Sequence, residues 1–440
     1  MFKTIIQAFK MKDVRKKILW TLLLLFIYRI GTWMPTPGIR PDYFRQAFGD
    51  LGVGFLDLLS SLSGGALANG AILALGVGPY ITSSIVVQLL TIALPSLERL
   101  SKQGDEGRRK IAVITRYVAL FMALAQAIAI VATLGNANNI QLDIFGAAFP
   151  DILVYAMVVL TLTAGAMFTV WLGDKITELG IGNGMSLLIF IGIVATGVEG
   201  FYQSFLNIGN ASAAELTQAI MVPIIFVITL LLIFFFIVYV DLAERRIPVT
   251  YARQVKGNKM YGGQSANIPI KINAVGVLPI IFAFSILNFP QMLASIFWAG
   301  SNFEIWYATN LGIGTWPNII LTALFILGFS YFYASLSFNP EDVSRQIQQN
   351  GGFILGYRPG IPTRDYLKRV HNRITLFGAI FLMFMALVPA IIFRAVMPDG
   401  NALVNAFTSI GLLITVSVAL EFDKQLQAQM LMKSYKGFLK

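Results

Sequence analysis

The 440-residue sequence contains no cysteine and a single histidine, His371. Without cysteine there is no disulfide, no thiolate metal site and no thiol nucleophile. One histidine excludes histidine-rich metal sites and any two-histidine relay. Charge is scarce too: Asp, Glu, Lys and Arg make up 12% of the residues, against the ~25% usual in globular proteins. No GxxxxGK[ST] pattern is present, so ATP hydrolysis by this chain is not expected. The apolar runs carry almost no carboxylate near their centres, where proton pumps and ion-coupled transporters need one. No catalytic residue, metal site or cofactor is expected.

Hydrophobic residues make up 56% of the chain, in runs of membrane-spanning length from end to end. Ten spans are expected, at about 18–35, 71–94, 111–134, 152–172, 181–201, 217–240, 270–297, 316–337, 375–393 and 402–420. The cluster Lys10, Lys12, Arg15, Lys16 and Lys17 before the first run looks like the start of a signal peptide. No small-x-small cleavage site follows, so it reads as an uncleaved first membrane helix. Cations concentrate in the N-tail, in the connections after spans two, six and eight, and in the C-tail. The opposite face holds only Arg40, Arg45 and Arg394, with Arg29 near the end of span one. The positive-inside rule then sets both termini on the cytoplasmic side. Ten spans divide into halves of five, 1–205 and 206–440. Because five is odd, such halves would be inverted relative to one another, as in many transport proteins.

Phe55 to Pro95 is the stretch that organises the rest. A dozen apolar residues, too few to cross a bilayer, lead into Ser63-Gly64-Gly65, and a full-length apolar segment begins only after Asn69-Gly70. A short helix, a glycine hinge and a spanning helix make a re-entrant element. Bare backbone at membrane depth is tolerated only inside protein or against a water-filled cavity, so a pore or cavity is expected here.

Two inside loops, about 241–268 and 338–372, are longer than topology requires and rich in Gly, Pro, Arg and Asn. Their cations could contact anionic lipid heads; their Gly- and Pro-containing turns suit an ordered docking platform for a cytosolic partner. Asp174, Lys175 and Glu178, spaced to meet across helix turns, read as interfacial ion pairs or as a proton path. His371, among Lys368, Arg369 and Arg373, reads as a solvated interfacial histidine. Thr82, Ser83, Ser84 and Gln88 in span two, and Asn273, Ser285 and Asn288 in span seven, serve ordinary helix–helix hydrogen bonding or line an interface that opens and recloses.

Several ordered strings go further. They include Phe55 to Ala66, Gly76-Val77-Gly78-Pro79-Tyr80-Ile81-Thr82, Gly104-Asp105-Glu106-Gly107-Arg108-Arg109 and Gly180-Ile181-Gly182-Asn183-Gly184. Glu244-Arg245-Arg246-Ile247-Pro248-Val249, Tyr261-Gly262-Gly263-Gln264 and Tyr357-Arg358-Pro359-Gly360 follow. In this order and at these spacings the chain resembles the SecY family of protein-conducting channels.

The resemblance implies an all-α, ten-helix membrane protein with an hourglass pore between two inverted five-helix halves, plugged from outside by a short helix at about 55–67. Phe55, Leu56, Leu58, Leu59, Leu62, Gly64 and Gly65 carry that plug. It implies an apolar ring at Val77, Ile81, Met185, Ile189, Ile281 and Ile414, with Val77 and Met185 departing from the family's isoleucines. A lateral gate at Thr82, Gln88 and Asn273 would release apolar segments sideways into lipid. The loops would dock the ribosome or the motor ATPase SecA through Arg245, Arg246, Lys256, Lys259 and Arg358, although Asn258-Lys259 departs from a frequent arginine pair. SecE and SecG are the implied partner subunits, unfolded preproteins and signal sequences the substrates, and the bacterial cell membrane the location. A secondary transporter for a small solute is the alternative: it shares the broken helix but requires a midplane ionisable site. A membrane-embedded enzyme would require a nucleophile, a metal site or a carboxylate pair.

Overall fold

The computed structural model describes residues 2–41, 60–134, 151–210, 216–251, 254–256, 259–261, 265–273, 276–298, 301–312, 315–396 and 409–438. A helix stands at each of the ten expected spans: α2 (Lys12–Gly31), α3 (Gly78–Ala93), α5 (Asp105–Leu134), α6 (Asp151–Leu179), α7 (Gly184–Asn210), α8 (Leu216–Leu242), α9 (Leu278–Phe297), α11 (Trp316–Ser337), α13 (Ile361–Val396) and α14 (Ser409–Phe438). Shorter helices join them: α1 (Phe2–Lys10), α4 (Pro95–Ser101), α10 (Asn302–Leu311) and α12 (Pro340–Gln349). Among the described residues, six helices are long and apolar enough to cross a membrane, and a seventh if α3 and α4, bent by 105° at Leu94, count as one. Their outward faces stay apolar: Phe121 on α5, Leu324 on α11 and Phe235 on α8 are exposed. So much uncovered apolar surface suits hydrocarbon rather than water. The chain is a multi-pass membrane protein.

Local chemistry sets several helix starts. Pro79, Pro317 and Pro340 sit in first turns, where a missing N–H costs nothing. Thr315 and Asn339 cap α11 and α12, accepting from the backbone N–H groups of Asn318 and Glu341. Most span hydroxyls bond back to their own helix: Thr82 to Gly78 and Pro79, Ser83 to Pro79, Thr169 to Gly165, Ser330 to Ile326.

Spans two and seven begin later than expected. Ala71 bridges to Pro35, residues 72–77 are consecutive turns and the helix starts at Gly78, while in the seventh span Ser265–Lys271 is a strand and the helix starts at Leu278. The short helix before the glycine hinge ends at Leu62 rather than 67, since Gly64 and Gly65 adopt φ of 74° and 81°. Phe55, Leu56, Leu58 and Leu59 lie outside the described residues.

The two long loops fold together, adding a small sheet to the helical class. β1 (Glu244–Tyr251) pairs antiparallel with β4 (Ser265–Lys271) from Glu244↔Lys271 to Thr250↔Ser265, and with β5 (Gly352–Phe353) of the second loop through Thr250↔Phe353. Gln254–Lys256 (β2) and Lys259–Tyr261 (β3) form the hairpin tip. Beneath the sheet, Ile247, Val249 and Ile270 of the first loop pack with Ile347, Ile354 and Leu367 of the second.

His371 is buried rather than solvated. It stacks on Phe338 with ring centroids 4.9 Å apart, and Nε2 meets the Ala334 carbonyl at 3.1 Å. Asp174 pairs with Arg116 on α5 at 2.8 Å and Lys175 with Glu178 at 2.7 Å, all four partly exposed. These are ion pairs at the protein surface.

Candidate functional site

The largest apolar cluster runs down the centre of the bundle, and all six ring positions fall in it. Val77, Ile189 and Ile414 are buried members; Ile81, Met185 and Ile281 are partly buried and pack against them. They come from five places in the chain: the turn before α3, α3 itself, α7, α9 and α14. Val77 is fixed because its turn cannot continue as helix upstream: Gly76 has φ of 51°, and a Cβ there would lie 3.0 Å from the Ser63 Cβ. Met185 is seated by α6, its Sδ 2.5 Å from where a Cβ on Gly173 would project. Aliphatic side chains from several helices, with no polar group among the six, can close on one another and exclude water.

Outside this cluster lies the turn Ser63-Gly64-Gly65. The Ser63 hydroxyl donates to the Ser60 carbonyl at 3.0 Å and accepts from the Leu67 N–H at 3.3 Å. The Gly65 N–H donates to the Ser60 carbonyl at 2.8 Å. Gly64 packs on Gly192 of α7, where a Cβ would come within 2.7 Å of the Leu62 carbonyl. After the turn, the Thr36 N–H donates to Gly70 and the Ile72 N–H to Met34, both at 2.9 Å, tying the non-helical stretch to the segment after α2. The bare backbone expected at membrane depth is thus satisfied by protein.

The three residues expected at a lateral gate do not meet one another. The Tyr333 hydroxyl on α11 donates to the Gln88 Oε1 on α3 at 3.0 Å, across 245 residues of chain. The Asn273 side-chain amide donates to the Asp241 Oδ1 at 3.2 Å, at the end of α8, and Thr82 bonds within its own helix. Between α3 and the pair α9–α11 the contact is otherwise apolar and aromatic, formed by Ile85, Phe282 and Tyr333 with Ile81, Leu89, Ile281 and Phe329 against them. Phe282 and Tyr333 stack edge-on at 4.9 Å. Sequence reasoning missed Tyr333 and Phe282. Tyrosine and phenylalanine recur throughout Phe329–Tyr333, and nothing in that string marks which ring crosses to α3.

On the sheet, Arg245 and Arg246 are exposed, the latter paired with Glu244 at 2.7 Å. Lys256 and Lys259 are Cα partners at the hairpin tip. Arg358 is exposed on the second loop and makes no ion pair among the described residues. Its backbone is held: its carbonyl accepts from Thr363 Oγ1 at 2.8 Å, and next to it Tyr357 stacks on Tyr366 at 4.2 Å. A free guanidinium on a fixed backbone suits a docking contact. Among the described residues no group of three or more His, Asp or Glu is arranged to hold a metal ion.

A family model described as SecY matches residues 71–422. The chain is 39% identical over 444 residues to the protein translocase subunit SecY of Streptomyces galbus, covering 99% of each chain. Two solved structures share the fold. One is of a SecY protein whose plug domain is described as stabilising the closed state of the translocation channel and maintaining a membrane seal; its TM-score is 0.63, with 18% identity over 94% of this chain and 92% of that one. The other is Sec61 in the canine ribosome-channel complex from the endoplasmic reticulum, with a TM-score of 0.64, 18% identity and the same coverage.

Proposed function

The chain belongs to the SecY family, and from that premise we propose that it is the protein-conducting subunit of a translocase in the bacterial cell membrane, with both termini cytoplasmic. Unfolded preproteins pass between two halves, 1–205 and 206–440, through the ring of Val77, Ile81, Met185, Ile189, Ile281 and Ile414. The observation that carries this reading is the convergence of six aliphatic side chains, from five places in the chain, on one central cluster. Such a ring moulds around an extended chain of any sequence and excludes water when empty. The segment ending in Ser63-Gly64-Gly65 closes the outer side.

The seam between α3 and α9–α11 is the lateral gate. It is held by apolar and aromatic contacts and one crossing hydrogen bond, Tyr333 to Gln88. One such bond is worth about 1 kcal/mol, a latch that reopens readily. The sheet with Arg245, Arg246, Lys256, Lys259 and Arg358 docks SecA or the ribosome. SecE and SecG complete the complex, and an apolar signal sequence leaves through the seam into the lipid.

The test reconstitutes the chain with SecE into sealed vesicles with SecA, ATP and a signal-bearing preprotein, and scores protease protection. Arg358→Glu should lower protection about tenfold, the loss of one exposed docking charge plus a new repulsion. Protection that is independent of ATP and SecA would overturn the channel reading. An unchanged Arg358→Glu variant would remove Arg358 from the docking face.

A further inference from the structure

Arg29 stands apart from the other cations. It sits in the last turn of α2, within the spanning run, where an ionisable side chain is costly unless it faces the bundle and is paired. Its Nη1 donates to the Gly64 carbonyl at 2.8 Å and to Thr32 Oγ1 at 3.3 Å, and its Cζ lies 5.6 Å over the Trp33 ring. Beside it, fully buried Tyr28 donates to the Ser63 carbonyl at 3.4 Å. The other side of the same turn rests on α7. Gly192 touches Gly64, and a Cβ on Gly65 would meet Thr196 at 3.8 Å and the Glu199 carboxylate at 3.6 Å. The Glu199 carboxylate thus lines the same turn from the α7 side.

We infer that Arg29 is a positioning residue which, with Glu199, clamps the Ser63-Gly64-Gly65 turn between α2 and α7 and so holds residues 60–62 before it in place. This rests on the reading of that segment as a plug. The Gly64 carbonyl accepts from a guanidinium rather than from a neutral donor. Away from water the charge-assisted bond is stronger than a neutral one. The turn cannot slide past its seat, because Gly64 and Gly192 meet at backbone contact. Moving residues 60–65 outward must therefore break the Arg29–Gly64 bond, which gives opening a threshold separate from the apolar ring.

The test measures halide leak through the idle complex in sealed vesicles, with no preprotein present. Arg29→Met keeps the stem and loses the donor and the charge; the leak should rise about tenfold, the equivalent of one charge-assisted hydrogen bond. Arg29→Lys should return it to near the unaltered value, and Glu199→Gln should raise it by a smaller factor. Deleting residues 55–62 checks the plug itself. A deletion that leaks beside an Arg29→Met that does not would overturn the clamp and leave the plug standing. If neither leaks, the plug reading falls and the clamp with it. Should Arg29→Met fail to assemble, Gly192→Ala attacks the turn from α7, and an unchanged leak there would equally overturn the clamp.

Discussion

With asparagine at both Ile189 and Ile414, the idle complex should leak halide roughly a hundredfold faster than the unaltered one. Both side chains are buried in the same apolar cluster as Val77, Ile81, Met185 and Ile281. An amide among aliphatic groups finds no partner there, and leaving it dry costs about 1–3 kcal/mol. Water entering the throat removes that cost, so two amides shift the dry–wet balance by about 2–3 kcal/mol or more, a hundredfold in population. The pair Ile189→Val and Ile414→Val alters volume without polarity and should leak little. Preprotein transport should survive the asparagine pair, since an extended chain fills the throat whatever lines it. A normal leak in a folded asparagine variant would mean that the constriction lies elsewhere.

Gly165→Ala should abolish the fold of the N-terminal half, whereas Gly328→Ala should be tolerated. Both glycines are in spanning helices. A Cβ on Gly165 of α6 would stand 2.0 Å from the Ile72 carbonyl, while one on Gly328 of α11 meets nothing within 4 Å. Backbone cannot yield as a flexible side chain can. Residues 71–77 would have to move off α6, taking Val77 and the start of α3 with them. Such overpacking against backbone costs about 3 kcal/mol or more. At Gly328 the change gains about 0.5–1 kcal/mol of helix propensity. Thermal unfolding followed by tryptophan fluorescence in detergent separates the two: a large drop or no folded protein for the first, an equal or higher midpoint for the second. Equal midpoints would show that α6 does not pack on residues 71–77 as described.

Much of this architecture was legible from hydropathy, and α11 falls on the expected bounds of 316–337. Hydropathy fails where composition and conformation part company. Residues 71–77 are as apolar as a helix would be, yet Gly70 and Gly76 take positive φ and Pro79 opens the helix, so the start lies at Gly78. Conversely, α13 begins at Ile361, well before the apolar run, because its first turns are amphipathic. His371 shows the same failure. Lys368, Arg369 and Arg373 lie close to it in sequence, but on a helix it shares a face with Leu367 and Ile374, four and three residues away, and that spacing carries its burial. The ring positions came from the resemblance; taken singly, each is an ordinary apolar residue. The partners of Gln88 and Asn273 lie far along the chain, and no local pattern reaches Tyr333 or Asp241.

The small sheet has a mechanical meaning. Its strands come from the connections after the sixth and eighth spans, stitched through Thr250 and Phe353, so neither loop bends independently of the other. From that shared core, α13 runs on into the bundle: Leu367 lies under the sheet and Leu382 in the central cluster, about 22 Å farther along one helix axis. A load on the sheet is delivered along a stiff strut to the middle of the molecule. A partner bound to this sheet would act with leverage on the central cluster and need no reach of its own into the membrane.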